Sequence, residues 1–280
     1  MTVSSFDIHG LAILDSPVVL SVPHAGRDYP DTAGLLRHPV ERLRALEDRH
    51  ADRLAERAIA AGTTAIIARL PRLWIDLNRA TSDLDPGMVV GGHGSAQTAT
   101  SRMRGGLGLI PRRLGTIGEI WRAALTREDV ARRIAGHYDP YHAMIAAMLA
   151  RAQARFGVAL LVDLHSMPPL VGYGESQIVL GDRFGATCAP QLSALAEAVF
   201  AGAGYRVGTN APYAGGHIIT RHANRANNVH ALQVEVDRTL YLDAALDKPG
   251  QGLAALQAVI GRLVETLVAQ LSVPTAIAAE

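Results

Sequence analysis

Pro17-Val18-Val19-Leu20-Ser21-Val22-Pro23-His24-Ala25-Gly26 is an apolar run that ends on a histidine framed by proline and glycine. Pro17 to Val22 reads as a buried strand, and the flanking Pro and Gly stop regular structure and open a sharp turn. An imidazole at the C-terminal edge of a central strand sits where open α/β sheets hold ligands. The arrangement recurs at Ala159-Leu160-Leu161-Val162-Asp163-Leu164-His165-Ser166, where a second apolar strand delivers His165 to its end. Two such strands in one sheet point both imidazoles at the same ion.

Outward from these, strands are predicted near Val18–Pro23, Thr64–Arg69, Ala159–Leu164, Ser176–Leu180, Tyr205–Thr209 and Ala231–Val236. Helices are predicted near Val40–Ala61, Arg127–Phe156, Pro190–Ala203 and Gly252–Leu271. In the first helix Leu43, Leu46, His50, Leu54 and Ala58 recur at helical spacing and define one face. The alternation argues a single α/β domain with a central mixed, mostly parallel β-sheet flanked by helices. The segment 80–118 differs. It is rich in Gly, Ser, Thr and Arg, with Gly91-Gly92-His93-Gly94 and Arg102-Met103-Arg104-Gly105-Gly106. It reads as a loop over the site, since long irregular segments inside compact domains are commonly functional. It matches neither a Walker A loop nor a dinucleotide fingerprint.

The 280 residues are 49% hydrophobic, enough to bury a sizeable core. A net charge of +1 gives no electrostatic reason to expect nucleic acid or a membrane surface as partner. The single cysteine, Cys188, rules out an internal disulfide and a cysteine-based zinc cluster. No basic region followed by an apolar core opens the chain, and no apolar stretch is read as approaching the roughly 20 residues of a membrane span. A cytoplasmic protein, monomeric or a small homo-oligomer, is expected.

The polar residues narrow the chemistry. In Glu47-Asp48-Arg49-His50-Ala51-Asp52, Asp48 and Asp52 share a helix face. That face is either solvated and paired with Arg49 and Arg53, or it offers Asp48 to the ion held by His24 and His165. Two histidines and a carboxylate are a common catalytic zinc set. Asp28 competes with Asp48 for the third position. Asp163 shares a strand side with His165 and suits the imidazole's second nitrogen. Leu73-Trp74-Ile75-Asp76-Leu77-Asn78-Arg79 ends in an arginine whose planar fork suits a carboxylate, with Asn78 beside it. In Asn210-Ala211-Pro212-Tyr213-Ala214-Gly215-Gly216-His217-Ile218 the paired glycines admit close backbone approach, and His217 is placed to donate to a carbonyl or a developing oxyanion. In Ala231-Leu232-Gln233-Val234-Glu235-Val236-Asp237-Arg238 the polar residues alternate onto one strand face. A carboxylate in an apolar strand is costly unless paired or functional, so Glu235 is the candidate general base.

These pieces, with Gly106-Leu107-Gly108-Leu109-Ile110-Pro111 and Pro140-Tyr141-His142, resemble the N-formylglutamate amidohydrolases. Those enzymes release formate from N-formyl-L-glutamate at the end of one histidine-degradation route. The matching motifs run in family order from about Val18 to Asp243. The resemblance extends distantly to zinc carboxypeptidases and aspartoacylases. It implies their α/β fold, and zinc held by His24 and His165 with Asp48 as third ligand. Manganese, iron or cobalt also suits such a set. It further implies Asn78 and Arg79 on the substrate's α-carboxylate and Glu235 as base. His217 stands where the family often has an aromatic residue. A second basic residue must meet the side-chain carboxylate; Arg104 is preferred, with Arg102 and Arg113 as alternatives. Tyr141 is expected to pack the core, and His142 is open between core and pocket. The expected partner is a small acidic N-acyl amino acid. Two other readings stay open: a hydrolase of another N-acyl amino acid or small peptide, and a non-catalytic binder of an acidic metabolite.

Overall fold

The computed structural model describes residues 4–10, 14–92, 100–115, 117–170 and 176–272. His93 and Gly94 of the glycine-rich segment lie outside them. The strands are β1 (Phe6–His9), β2 (Val18–Val22), β3 (Thr64–Ala68), β4 (Arg113–Leu114), β5 (Gly118–Glu119), β6 (Ala159–Met167), β7 (Ile178–Gly181), β8 (Val207–Thr209) and β9 (Val229–Asp237). Seven of them form one sheet in the order β1-β3-β2-β6-β9-β7-β8, while β4 and β5 pair as a small ribbon. β3, β2, β6 and β9 run parallel at the centre. β1 joins one edge antiparallel, and β7 with β8 joins the other side antiparallel to β9. This is the mixed, mostly parallel α/β sheet the alternation implied.

Strand alternation sorts the sheet into two faces. Val18, Leu20, Val22, Leu160, Val162, Leu164, Leu232, Val234 and Val236 enter one core with the helices Pro190–Gly202 and Leu253–Ser272. Val19, Leu161 and Ala231 enter the other, beneath the helix Asp139–Phe156. On this second face the same period continues as Ser21, Asp163, His165, Gln233 and Glu235. Register brings Ser21 opposite Asp163, Asp163 opposite Gln233 and His165 opposite Glu235. The face therefore turns from apolar to polar toward the C-terminal ends of the parallel strands.

Three expectations are corrected. The helix expected over 40–61 is broken into Val40–Leu43, a 3₁₀ turn at Arg44–Leu46, Ala51–Leu54 and Glu56–Ala60. The break falls at Glu47–His50, where His50 takes a left-handed conformation (φ 58°). Asp48 and Asp52 consequently do not share a helix face: Asp48 points into the sheet edge, and Asp52 pairs outside with Arg27 at 2.8 Å. The second helix contains a π turn at Ile134–Tyr138, so 127–156 is one helical path with a local offset. Finally, the helix Leu253–Ser272 has the length and composition of a membrane span. Its Leu253, Leu256, Ile260, Leu263, Val264 and Leu267 are buried against the sheet, so it is a core helix here.

Candidate active site

The edge at the ends of β2, β6 and β9 opens into a cavity of about 240 Å³. That is below the roughly 300–1,000 Å³ typical of drug-sized ligands and suits a small metabolite. His24, Asp48 and His165 meet on its floor. One ligand atom from each lies within 4.8 Å of the others, and all three residues are buried. Asp48 Oδ2 is 3.0 Å from His165 Nδ1 and 3.5 Å from His24 Nδ1. The interruption of the helix at 47–50 makes this possible, because the Asp48 N–H donates to the His24 carbonyl at 2.9 Å. Gly26 allows the adjoining turn: a Cβ there would lie 2.1 Å from the Leu70 carbonyl oxygen.

Both imidazoles are held from behind by carboxylates. His24 Nε2 is 2.8 Å from Asp76 Oδ1, and His165 Nε2 is 2.9 Å from Asp163 Oδ2. A carboxylate on Nε2 holds a proton there and turns Nδ1 toward Asp48, the orientation that supports metal-ligating histidines. His24 Nδ1 is buried and has no hydrogen-bond partner among the described residues. A buried, unsatisfied acceptor costs free energy unless something fills the position, so the donor set fits a divalent cation. Asp28, the competing third ligand, is exposed and paired with Arg69 at 2.7 Å, away from the trio.

The trio's electrostatics follow from its neighbours. Burial alone would push the Asp48 carboxyl up, but the hydrogen bond with His165 and the neighbouring imidazole of His24 hold it well below the usual range. Burial likewise opposes charge on His165, and Asp163, Asp48 and Glu235 together raise its pKa well above the ordinary value. Asp76 is held low by Arg72, Arg79 and His24 against its burial. Burial pushes Glu235 up to about 7, His165 pulling the other way. Gln233 Nε2 donates to Glu235 Oε1 at 2.9 Å, while Gln233 Oε1 accepts from the Gly216 N–H at 2.8 Å.

The expected substrate residues divide. Arg79 lines the cavity; its Nε donates to the Leu107 carbonyl and one terminal nitrogen to the Asn78 carbonyl. Its other terminal nitrogen is buried with no partner among the described residues. Burial lowers its pKa to about 10. Asn78 also lines the cavity, but its amide is engaged within the protein. Its Oδ1 accepts from the Ile218 N–H at 2.8 Å, and its Nδ2 lies 3.1 Å from His165 Nε2 and 3.4 Å from Gln233 Oε1. Gly216 lines the cavity and packs so tightly on Asn78 that a Cβ would meet its amide at 2.3 Å. Arg104 is exposed and is not among the residues lining the cavity. It sits on the helical turn Ser101–Arg104, whose Met103 is buried and whose Arg102 faces the cavity. His217 is likewise not at the cavity wall. It begins the helix His217–His222, and its ring lies against Tyr138 and His142.

Sequence reasoning gave no role to Asp76, Arg72 or Arg238. Asp76 stands two residues before Asn78, within the matched motif, and that was its available signal. Arg238 lines the cavity and is ion-paired with Asp48 at 2.9 Å, its other donors reaching Ser166 and the Ala45 carbonyl. Arg72 lines the cavity while paired with Asp76 at 2.8 Å.

Tyr141 and His142 are both core residues. Tyr141 Oη lies 2.9 Å from Ser21 Oγ and donates to the Ile66 carbonyl. His142 Nε2 donates to the Leu77 carbonyl at 3.0 Å, leaving Nδ1 to accept from His222 Nε2 at 2.9 Å. Burial, then the charges of His222 and Arg221, lower the His142 pKa to about 2. The unfolded chain protonates this group near 6.5, so its contribution is present above that pH and is lost below it. At pH 5 the expected loss from His142 is about 2 kcal/mol, and His222, lowered to about 4, acts in the same direction. His165 has the opposite sign, with its stabilisation already complete below pH 6.5, and Glu235, raised to about 7, gains on acidification and offsets part of the combined loss from His142 and His222. Tm should therefore fall between pH 6.5 and 5, and His142→Asn should flatten that fall; an unchanged slope would remove His142 as its source.

A buried His/Asp/His trio, a carboxyl tuned toward neutrality and an unsatisfied guanidinium in one small cavity are the layout of a hydrolase for a small anionic substrate. Residues 16–242 match the N-formylglutamate amidohydrolase family. The chain is 35% identical over 266 residues to an N-formylglutamate deformylase of Pseudomonas aeruginosa, covering 90% of this chain and 93% of that one. It is 32% identical over 238 residues to an N-formylglutamate deformylase of Pseudomonas putida, covering 81% and 82%. A crystal structure of an N-formylglutamate amidohydrolase from Ralstonia eutropha superposes with a TM-score of 0.87 at 32% identity, over 96% of this chain and 99% of that one. The chain belongs to the N-formylglutamate amidohydrolase family.

Proposed function

We propose that the protein hydrolyses N-formyl-L-glutamate to formate and L-glutamate, a step of histidine degradation, with zinc held by His24, Asp48 and His165. The buried, unpartnered Nδ1 of His24, facing Asp48 and His165, carries the metal reading. A divalent cation bound there supplies Lewis acidity, polarising a carbonyl and making water acidic near neutral pH. The family and the two deformylase relatives carry the substrate reading.

The chain's own groups do the rest. Asp76 and Asp163 keep the two imidazoles in the tautomer that offers Nδ1, and Arg238 holds the Asp48 carboxylate in place. The free nitrogen of Arg79 takes the substrate's α-carboxylate, an anion matched to a buried guanidinium. Asn78 braces Gln233, through its Nδ2, and the turn at Ile218, through its Oδ1. Glu235, its carboxyl oriented by Gln233, accepts a proton from the attacking water and returns it to the departing nitrogen. From the glycine-rich segment, Arg102, Leu107 and Leu114 contribute to the cavity lining.

The test is formate release from N-formyl-L-glutamate, with N-formylaspartate, N-acetylglutamate and a dipeptide alongside, before and after chelation and zinc add-back. Turnover of formylglutamate that chelation abolishes and zinc restores is the expected result. Preference for another acyl amino acid would overturn the substrate. Full turnover by protein that elemental analysis shows to be metal-free would overturn the metal.

A further inference from the structure

The charged groups lining the cavity are four guanidiniums, Arg72, Arg79, Arg102 and Arg238, and two carboxyls, Asp48 and Glu235. Three of the four guanidiniums have partners within the protein. Arg72 is paired with Asp76, Arg238 with Asp48, and Arg79 lies 3.6 Å from the same Asp76 carboxylate and donates to two backbone carbonyls, one terminal nitrogen having no partner among the described residues. The guanidinium of Arg102 has no hydrogen bond or ion pair among the described residues. Its side chain stands at the exposed end of the cavity, and its charge acts on Arg79 and Tyr213, which also line it.

The backbone fixes this placement. The Leu107 N–H donates to the Arg102 carbonyl at 2.8 Å, and the Leu107 carbonyl accepts from Arg79 Nε at 3.1 Å. One residue, Leu107, thus links the Arg102 backbone through its N–H to the Arg79 guanidinium through its carbonyl. Met103 anchors the same turn in the core, and Thr100 Oγ1 accepts from the Met103 N–H at 3.3 Å. Arg104 leaves on the exposed side, where its carbonyl accepts from Arg113.

We propose that Arg102 reads the side-chain carboxylate of the substrate, so that Arg79 and Arg102 together select an N-acyl amino acid with two carboxylates. This rests on the formylglutamate reading for the identity of that substrate. Arg79 and Arg72 share the single carboxylate of Asp76, one Arg79 nitrogen has no partner and Arg102 has no ion pair among the described residues, so the lining carries positive charge that a dianion neutralises better than a monoanion. Arg102 is exposed, so its contact strengthens substrate binding without touching the reacting bond. It is a specificity residue, and its loss appears in KM.

The experiment compares zinc-loaded wild type with Arg102→Gln on N-formyl-L-glutamate and on N-formyl-L-glutamine, the isostere that keeps the α-carboxylate and has a neutral side chain. Arg102→Gln should lower kcat/KM for formylglutamate by about 30-fold, mostly through KM, and leave formylglutamine within about twofold. Equal losses on both substrates, or none on either, would overturn the proposal. So would a substrate-selective loss in Arg104→Gln with Arg102→Gln unaffected. Calorimetry with glutarate and its monoamide, on zinc-loaded and on chelated protein, separates this proposal from the substrate reading. If wild type leaves formylglutamate intact but prefers glutarate to the monoamide, and Arg102→Gln abolishes that preference, the substrate reading fails and the role of Arg102 stands. If wild type and variant bind the two ligands alike, the role of Arg102 fails.

Discussion

Glu235→Gln is expected to lower kcat by about three to four orders of magnitude while the protein folds and binds metal as before. General acid–base groups typically contribute roughly 10²–10⁴-fold, and the upper end applies because one carboxyl here serves as base and then as acid. Glu235 is only 9% exposed and faces His165 across β6 and β9. Burial pushes its pKa up to about 7, and a base is most effective when its pKa lies near the working pH. Glutamine keeps the shape and still accepts from Gln233 Nε2, so the packing survives. The working form is the carboxylate, so kcat/KM should rise with pH as Glu235 loses its proton; a cation on the neighbouring trio displaces that limb downward. Steady-state kinetics, metal content and Tm on the same preparation provide the check. Turnover within tenfold of wild type at normal metal content would remove Glu235 as the base.

What the sequence discloses is what local periodicity encodes. Val18 to Val22, Ala159 to His165 and Ala231 to Glu235 are apolar runs whose few polar residues fall on one parity, and the two-residue period of a strand predicts that these share a face; the parallel register then lines up Asp163 with Gln233 and His165 with Glu235. The break at Glu47–His50 is invisible to this reasoning. Leu43, Leu46, Leu54 and Ala58 keep helical spacing on both sides of it, and what breaks the helix is a tertiary bond, from the Asp48 N–H to the His24 carbonyl. The supports of the site are hidden for the same reason. Asp76 and Arg238 become meaningful only through partners 52 and 190 residues away in the chain. Arg102 and Arg104 are chemically identical in the sequence; the burial of Met103 between them decides which one faces the cavity. The four-residue edge strand β1 is too short for alternation to identify it.

Asp48→Asn and Asp52→Asn, four residues apart, should behave as unrelated substitutions. If 47–52 were a solvated helical face, both would be minor. In the structure Asp52 pairs with Arg27 at the surface, their side chains 22% and 32% exposed, and an ion pair of that kind contributes about 0–1 kcal/mol. Asp48 is 2% exposed and bridges His165, His24 and the guanidinium of Arg238. Arg238 keeps its bonds to Ser166 and to the Ala45 carbonyl in the variant, but those partners carry no charge. A buried cation without its anion is the costly case, about 3–5 kcal/mol. His165, whose raised pKa depends in part on Asp48, loses a partner at the same moment. Asp48→Asn should therefore lower the stability of chelated protein by about 3–5 kcal/mol and weaken zinc binding by at least about 100-fold, since the set loses its one anionic ligand. Denaturant melts of chelated wild type and both variants, with zinc titrations on each, give the two quantities separately. Equal, small losses of stability in the two variants would mean that Asp48 does not hold Arg238. Wild-type zinc affinity in Asp48→Asn would take the carboxylate out of the ligand set and leave the two histidines to find their third donor elsewhere.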